Sequence, residues 1–267
     1  MTKKILSAGC SFTYGHELSD CNSEAVPPSK KSWAAGLTTI VNADHKSVAK
    51  GGAGNAGIAR RVFQYIANQP VDFVLVMWSF PSRYDWAMPR HRNLEDTRWA
   101  TITPWDTDHE QEEVMQRLSS DQAQQEIWNK RRQKMQDSGV IEFANNLYRY
   151  AANEYHEIYL SWKSIIWLQN ILEKKKIPYL FTLADNSLFY DKFTPHTEKD
   201  LLMKALYNEI DFTNWYSFGE RMMGFNQWAF LNDYPRGTTH PLDSSHQDAV
   251  QLMKDKFLQI YNQKEQQ

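Results

Sequence analysis

The sequence is poor in cysteine and contains no long apolar run. Only Cys10 and Cys21 occur among the 267 residues, which excludes a disulfide framework and does not fit the ligand spacing of a zinc site. No stretch approaches the roughly 20 apolar residues that span a bilayer. The first apolar segment is broken at Ser11, before the core of a signal peptide could form. We therefore expect a soluble, cytoplasmic protein, although a protein of a viral particle would show the same features.

An excess of charge of either sign is also missing. Lys and Arg total 30 against 32 for Asp and Glu, which gives a net charge of −2. No general attraction to nucleic acid or to an anionic membrane is therefore expected. The acidic residues between Asp106 and Glu113 could suggest a hard-metal site, but we interpret them as solvated loop residues. The sequence predicts no metal and no organic cofactor.

Four short apolar or β-branched runs alternate with helical patterns, as is typical of buried parallel strands and their crossovers. The predicted strands are Lys4–Ala8, Lys46–Ala49, Asp72–Trp78 and Pro178–Leu183. The predicted helices are Trp33–Val41, Ile58–Ala67, Ser119–Lys134, Ile141–Lys175 with an interruption near His156, Glu198–Asn208 and Asp243–Asn262. This alternation favours right-handed connections. The predicted fold class is α/β, a three-layer α/β/α, flavodoxin-like open parallel sheet.

We expect a single domain over residues 1–267 with an insertion at about 84–140, because the stretch between the third and fourth strands is too long for a simple crossover. Its first part, Tyr84–Asp108, mixes tryptophans with prolines and is predicted to be an irregular loop. Trp, Tyr and Phe make up 13% of the chain. Most of these rings are expected in the core, and the others could form a sugar-stacking or interface surface.

The segment Gly9–Gly15, which reads GCSFTYG, follows directly on the first predicted strand. Glycines near Ser11 let the backbone turn sharply, so this serine would be presented at the carboxyl edge of the sheet. A nucleophile belongs at that place. Alternatively, Ser11 merely caps the helix that follows.

A glycine-rich run, Gly51–Asn55, follows the second predicted strand. Its backbone N–H groups can approach a ligand closely and form an anion-binding nest. No Gly-Lys-Ser/Thr follows, so the run is not a P-loop, and it lacks the context of a dinucleotide fingerprint. We interpret it as an oxyanion hole; a helix start capped by Asn55 and phosphoryl or nucleotide chemistry are the alternatives.

The segment 240–246, which reads HPLDSSH, lies immediately before the last predicted helix. Imidazole is the side chain best matched to take a proton near neutral pH, and a following proline positions it in a loop. Two histidines are therefore candidates. His240 lies in the loop, whereas His246 lies in the first helical turn with Asp243 three residues before it.

Together, these three segments resemble the blocks of the SGNH or GDSL-type serine hydrolases. In that family a Gly-x-Ser block after the first strand carries the nucleophile, which corresponds here to Ser11. The resemblance implies that Gly52 donates an N–H to the oxyanion hole and that His240 of the His-Pro block is the base, with His246 as the competing choice. It also implies an acyl-enzyme mechanism that needs no cofactor.

The chain departs from the family pattern after the third strand. The family's third block supplies an asparagine there, but residues 78–83 read WSFPSR. A variant set of these hydrolases with a similar Trp-Ser/Thr-x-Pro-x-Arg block resembles this one. Ser79, Arg83 and Asn55 are the candidates for the missing oxyanion donor.

The acid is the second departure. It usually precedes the family's histidine by three residues, where this chain has Gly237. Three readings stay open: either Asp233 or Asp243 orients His240, or the serine and His240 act as a dyad, or Asp243 and His246 are the true pair.

The resemblance implies a serine esterase or acylhydrolase that cleaves an O-acyl ester, such as that of an O-acetylated carbohydrate. The expected partners are a small-molecule or glycan ester, with no nucleic acid and no membrane, and the oligomeric state does not follow from the sequence. The alternative is a non-catalytic binding or structural module that keeps the hydrolase scaffold. The missing asparagine and the missing acid favour that alternative.

Overall fold

The computed structural model describes residues 2–21, 27–88, 99–107, 122–189 and 200–263. Its strands are β1 (Lys4–Ala8), β2 (Asp44–Ser47), β3 (Phe73–Trp78), β4 (Tyr84–Ala87), β5 (Trp99–Ile102) and β6 (Tyr179–Leu183). Its α-helices are α1 (Ser11–Tyr14), α2 (Trp33–Ile40), α3 (Asn55–Asn68), α4 (Gln122–Asp137), α5 (Val140–Tyr150), α6 (Glu154–Lys174), α7 (Leu201–Asn208), α8 (Phe225–Leu231) and α9 (Asp243–Gln263). Short 3-10 helices cover Pro104–Asp106, Asn186–Leu188 and Phe212–Asn214.

Four strands form a parallel sheet in the order β2-β1-β3-β6. In its register, Ser7 of β1 lies opposite Ser47 of β2, and Ala8 lies opposite Val76 of β3. Every residue of β3 and β6 is buried, as expected of parallel strands that are covered on both faces. The four strands predicted from the sequence are confirmed, β1 with the predicted bounds and the other three with boundaries shifted by one or two residues.

The connections place helices on both faces of the sheet. The chain passes from β1 through α2 to β2, and then through α3 back past β1 to β3. Right-handed crossovers in opposite directions put α2 and α3 on opposite faces. Helix α9 packs against α2, and α6 packs against α3, which gives the predicted three layers. The reversal of direction leaves a crevice at the carboxyl ends of β1 and β3.

The helix predicted over Ile141–Lys175 is two helices in the structure, α5 and α6. Asn153 is the N-cap of α6, and its side-chain oxygen accepts a hydrogen bond from His156 N at 2.9 Å. This is the usual bond of an N-cap residue. The expected interruption near His156 is therefore present, and a capped helix start at Asn153 is its cause.

The prediction of an irregular loop over Tyr84–Asp108 is wrong for the part that the structure describes. Strands β4 and β5 pair antiparallel there, with Tyr84 opposite Ile102. Both of these residues are buried in a small second core that also includes side chains of α5. Each strand has only four residues, too few for a clear alternation among tryptophans and prolines. Residues 89–98 and 108 lie outside the described residues.

Aromatic residues fill much of the main core, as expected from the composition. Trp33, Trp78 and Trp162 are at most 1% exposed, and the Trp78 ring meets Phe181 of the neighbouring strand edge-on, with centroids 5.3 Å apart. None of the helices in the described ranges is both long enough and apolar enough to cross a membrane.

A buried ion pair attaches the β4–β5 hairpin to α3. Arg60 Nε lies 2.8 Å from Asp85 Oδ2, and the two side chains are 18% and 2% exposed. The same guanidinium lies over the Trp99 ring, 4.5 Å from its centroid. Arg60 therefore contacts both strands of the hairpin from a helix of the main core.

Replacing Asp85 with asparagine is expected to lower the free energy of unfolding by about 3 kcal/mol, because it removes one charge of a largely buried ion pair and leaves the other in place. Urea denaturation followed by circular dichroism measures the loss. Glu126→Gln is the control, because the ion pair of Glu126 with Lys130 is largely exposed and such pairs add little. Equal stability of Asp85→Asn and wild type would contradict this role of the pair.

Candidate active site

Ser11 lies just past the carboxyl end of β1, in the first turn of α1. Gly9 makes this turn possible, since a Cβ atom on Gly9 would lie 2.1 Å from Thr13 Oγ1 and 3.0 Å from Met77 O. Any side chain at that position would push α1 away from β3. Ser11 itself is only 6% exposed.

The structure brings Ser11 and His240 together. His240 Nε2 lies 2.7 Å from Ser11 Oγ, which is hydrogen-bond distance. The His240 ring meets Phe12 edge-on, with centroids 4.9 Å apart, and its side chain is 13% exposed. The segments that the sequence singled out for a nucleophile and a base are therefore in direct contact, although 229 positions separate the two residues.

An acidic residue that sequence reasoning missed, Glu17, lies on the other side of the His240 ring. Glu17 Oε2 is 2.8 Å from His240 Nδ1. The carboxylate also accepts hydrogen bonds from the backbone N–H groups of Thr238, Thr239 and His240, at 2.8, 3.0 and 2.8 Å. A single carboxylate thus binds both the ring and the backbone of the loop that carries it.

Glu17 is ionised in this setting. Burial disfavours the charged carboxylate, but the hydrogen bonds from the His240 ring and from the loop backbone outweigh it and hold the pKa of Glu17 well below its usual range. A carboxylate beside Nδ1 favours the tautomer with the proton on that nitrogen. Nε2 of His240 is then the nitrogen that can accept a proton from Ser11.

The position of Glu17 accounts for the glycine at residue 237. A Cβ atom on Gly237 would lie 2.9 Å from Glu17 Cδ and 3.0 Å from Glu17 Oε2. The carboxylate therefore fills the space where a side chain of residue 237 would begin. The acid at His240 comes from the segment that carries Ser11, rather than from Asp233 or Asp243. The available signal in the sequence was the missing acid at Gly237, together with an acidic residue shortly after Ser11.

His246 is not at this site, which corrects its candidacy as the base. It lies in the first turn of α9, is 1% exposed, and its Nδ1 accepts a hydrogen bond from Trp33 N at 3.1 Å. Its ring packs against Phe225, with centroids 4.8 Å apart. Burial lowers the pKa of His246 to about 3, so the ring is neutral. His246 is a core residue that connects α9 to the start of α2.

Asp243 likewise does not orient either histidine. Its Oδ1 accepts a hydrogen bond from Ser19 N at 3.0 Å, and its Oδ2 lies 2.9 Å from Lys31 Nζ. Burial opposes ionisation, but these partners lower the pKa of Asp243 to about 2. The carboxylate attaches Ser19 and Lys31 to the first turn of α9. In the sequence, Asp243 was a reasonable candidate because it lies at the start of a helix. In the structure, its partners are Ser19 and Lys31 of an earlier part of the chain.

The glycine-rich run lies at the same edge of the sheet as Ser11. Lys50 N donates a hydrogen bond to Gly9 O at 3.1 Å, which places the run beside the turn after β1. Gly52 has a φ of +71°, in the left-handed region that favours glycine. A Cβ atom on Gly52 would lie 3.2 Å from Thr103 Cγ2. The loop is therefore close both to the Ser11 turn and to the end of the β4–β5 hairpin.

Asn55 and Ser79 bind each other, which corrects their candidacy as oxyanion donors. Asn55 Oδ1 accepts a hydrogen bond from Ser79 N at 2.7 Å, while Asn55 Nδ2 donates to Ser79 O and to Ser161 Oγ, both at 3.0 Å. Both amide hydrogens of Asn55 are thus used. The two residues are 2% and 0% exposed, so neither presents a donor to a substrate. They join α3 to the end of β3 and to α6.

Arg83 is the remaining candidate from the third segment. Its Nη1 donates a hydrogen bond to Ser79 Oγ at 3.0 Å, and its Cζ lies 4.5 Å from the centroid of the Phe80 ring. The Phe80 ring packs against Phe12, the residue after Ser11, with centroids 6.3 Å apart. Arg83 is half-buried, and Phe80 connects its guanidinium to the residue that follows Ser11.

Two further observations complete the site. His16 lies next to His240, with ring centroids 5.9 Å apart. Within the described residues, no group of three or more His, Cys, Asp or Glu is arranged to hold a metal ion. In the acidic stretch, the interpretation of Asp106 as a solvated residue is wrong: it is 2% exposed and accepts a hydrogen bond from Thr103 N at 2.7 Å. Residues 108–113 lie outside the described residues.

Comparison with known proteins gives a broad likeness of fold. No protein-family model matches the sequence, and no curated protein matches it. The chain is similar to a solved member of the lipolytic G-D-S-L family from Veillonella parvula, with a TM-score of 0.43 and 11% identity, over 98% of this chain and 99% of that chain. The chain is also similar to an acetylxylan esterase from Geobacillus stearothermophilus, in a catalytic mutant, with a TM-score of 0.42 and 12% identity, over 96% of this chain and 95% of that chain. A third similar structure is a carbohydrate esterase family 2 enzyme from Corynascus thermopiles, with a TM-score of 0.46 and 11% identity, over 97% of this chain and 67% of that chain. The function proposed below therefore rests on the geometry of the site.

Histidines that stay neutral in the folded protein should make it less stable in acid. Burial lowers the pKa of His45, whose Nε2 lies 2.9 Å from Ser7 Oγ, to about 4. In the unfolded chain this group takes up a proton below pH ~6.5 that the folded protein does not bind. The free energy of unfolding therefore decreases as the pH is lowered. Between pH 7 and 5, wild type should lose about 2 kcal/mol more than His45→Gln.

Urea denaturation of both proteins at each pH measures this difference. The comparison with His45→Gln is needed because other groups also titrate: His246 adds to the acid loss, whereas burial raises the pKa of Glu157, which opposes it. Parallel pH dependences for the two proteins would contradict a His45 that is neutral in the folded protein.

Proposed function

We propose that the protein is a serine ester hydrolase that uses Ser11 as nucleophile, His240 as general base and Glu17 as the acid that orients His240. The observation that carries the proposal is the pair of contacts of one imidazole: 2.7 Å from Nε2 to Ser11 Oγ and 2.8 Å from Nδ1 to Glu17 Oε2. A hydroxyl, an imidazole and a carboxylate in this order activate a nucleophile for acyl transfer.

The proposed reaction has two halves. Ser11 Oγ attacks the ester carbonyl carbon while Nε2 of His240 takes the hydroxyl proton, and Nε2 then returns that proton to the departing alcohol. A water molecule next attacks the acyl-enzyme by the same route and releases the acid. Throughout both halves the Glu17 carboxylate keeps the Nδ1 proton in place and stabilises the imidazolium.

The oxyanion is proposed to bind the backbone N–H groups of Ser11 and Gly52. The first of these belongs to the opening residue of α1, where an N–H has no acceptor within the helix. The left-handed φ of Gly52 and its position beside the Ser11 turn support the second. Each such donor is typically worth about 3 kcal/mol of barrier. Asn55 and Ser79 act by holding these loops in register.

An O-acylated carbohydrate is the proposed substrate class, with a small acyl group. The low exposure of Ser11 supports a small acyl group, because little space adjoins the hydroxyl. Two tryptophans support a sugar alcohol: Trp86 of the hairpin and Trp105, just beyond it, are 46% and 44% exposed. Exposed indole rings suit stacking against the apolar face of a sugar.

A fluorophosphonate probe is expected to modify Ser11, as identified by peptide mapping, because the hydroxyl is activated by His240. Ser11→Ala should abolish this labelling and lower the rate of p-nitrophenyl acetate hydrolysis by about 1,000-fold or more. Ser164→Ala is a matched control, since Ser164 Oγ only donates to Leu160 O within α6. Equal hydrolysis by wild type and Ser11→Ala would instead favour a non-catalytic binding module.

Glu17→Gln is expected to lower kcat by about 100-fold to 10,000-fold with little change in KM, because an amide no longer fixes the Nδ1 proton. Steady-state kinetics with p-nitrophenyl acetate measures both constants. Glu142→Gln, at an exposed position of α5, serves as the control for removing one carboxylate. A kcat for Glu17→Gln close to that of wild type would remove Glu17 from the mechanism and return the choice to a dyad.

A further inference from the structure

Arg83 is a half-buried cation without a carboxylate partner. In the part of the chain that the structure describes, the ion pairs within 4.0 Å do not include it. Among the described residues, its guanidinium contacts Ser79 Oγ through a hydrogen bond and covers the face of the Phe80 ring. Arg60, the comparable half-buried arginine of α3, has Asp85 as its counter-ion. Arg83 therefore differs from Arg60 in having no carboxylate within ion-pair distance among the described residues.

Arg83 is also fixed in place beside the proposed site. Its backbone lies against the glycine-rich run, since a Cβ atom on Gly54 would be 2.2 Å from Arg83 O. Its guanidinium covers Phe80, which packs on Phe12, which in turn meets the His240 ring. A chain of packed rings therefore connects the guanidinium to the His240 ring.

A guanidinium carries five N–H donors in a planar fork, and the bond to Ser79 accounts for one of them. Partial burial of an uncompensated charge is unfavourable, and a carboxylate that binds the fork through two oxygens is its best-matched counter-ion. The anion would come with the substrate. The acyl group must be small next to the poorly exposed Ser11, so a charged group fits on the alcohol side of the ester.

We infer that Arg83 recognises a carboxylate in the alcohol part of the substrate, which makes the preferred substrate an O-acylated hydroxy acid such as an acidic sugar. This inference rests on the proposed ester hydrolysis at Ser11. The competing role for Arg83 is a direct contact with the oxyanion. That role would affect every ester by the same factor, whereas carboxylate recognition affects only an ester that carries the charge.

The test compares two acetyl esters that give the same acyl-enzyme, 4-acetoxybenzoate and its uncharged methyl ester. Wild type should hydrolyse 4-acetoxybenzoate with the higher kcat/KM. In Arg83→Gln the ratio of the two kcat/KM values should fall by about tenfold or more, mainly through KM of the charged ester. Arg83→Lys, which keeps the charge but not the fork, should fall between them. A loss by the same factor for both esters, or no preference in wild type, would overturn the inference.

Arg149→Gln is the matched control, because Arg149 is exposed at the end of α5 and lies over the Tyr150 ring. It should keep the wild-type ratio, which separates recognition from a general effect of net charge. Binding distinguishes failure of this inference from failure of the proposed function. If no ester is hydrolysed, calorimetry with 4-acetoxybenzoate on Ser11→Ala and on Ser11→Ala/Arg83→Gln still decides: binding lost only in the double variant supports the inference, and binding that is absent or equal in both overturns it.

Discussion

One imidazole connects the two ends of the chain. His240 contacts Ser11 through Nε2 and Glu17 through Nδ1, so a loop near the carboxyl terminus closes onto a segment near the amino terminus. The direction of both hydrogen bonds depends on which nitrogen carries the proton. Because the pKa of Glu17 is held low, its negative charge keeps that proton on Nδ1 and leaves Nε2 as the acceptor. The negative charge of Glu17 thereby makes the Ser11 hydroxyl face an unprotonated nitrogen of His240.

The sheet supplies the convergence that this contact needs. β1 lies between β2 and β3, so the turns after these three strands meet at one edge, as the carboxyl ends of parallel strands do. Close approach then depends on positions without side chains. At Gly9 and Gly54 a Cβ atom would lie 2.1 and 2.2 Å from Thr13 Oγ1 and Arg83 O. Glycine is therefore required by the packing of the loops, whichever chemistry they support.

Strand runs and short motifs are local, so the sequence was sufficient to predict the fold and to single out Ser11 and His240, which the structure places in contact. Glu17 could not be read in the same way: its partners are 221 to 223 positions away, and no periodicity links them. The roles of Asn55, Ser79, Asp243 and His246 depend on which donors and acceptors are already used, which only the neighbours in space determine. The β4–β5 hairpin was missed for a different reason, since four-residue strands leave almost no pattern.

The backbone conformation of Glu17 is unfavourable, but the hydrogen bonds of its carboxylate contribute more free energy than this conformation costs. Its φ of +66° lies in the left-handed region, which costs a residue with a side chain about 1 to 2 kcal/mol. Against this, a hydrogen bond to a charged group contributes about 1.5 to 3 kcal/mol, and the carboxylate accepts several from the 238–240 loop. The strained turn after Gly15 is thus stable because it delivers the charge to the loop. The Glu17 carboxylate, the backbone of the 238–240 loop and the His240 ring form one hydrogen-bonded unit. The absence of a side chain at Gly237 leaves room for the carboxylate.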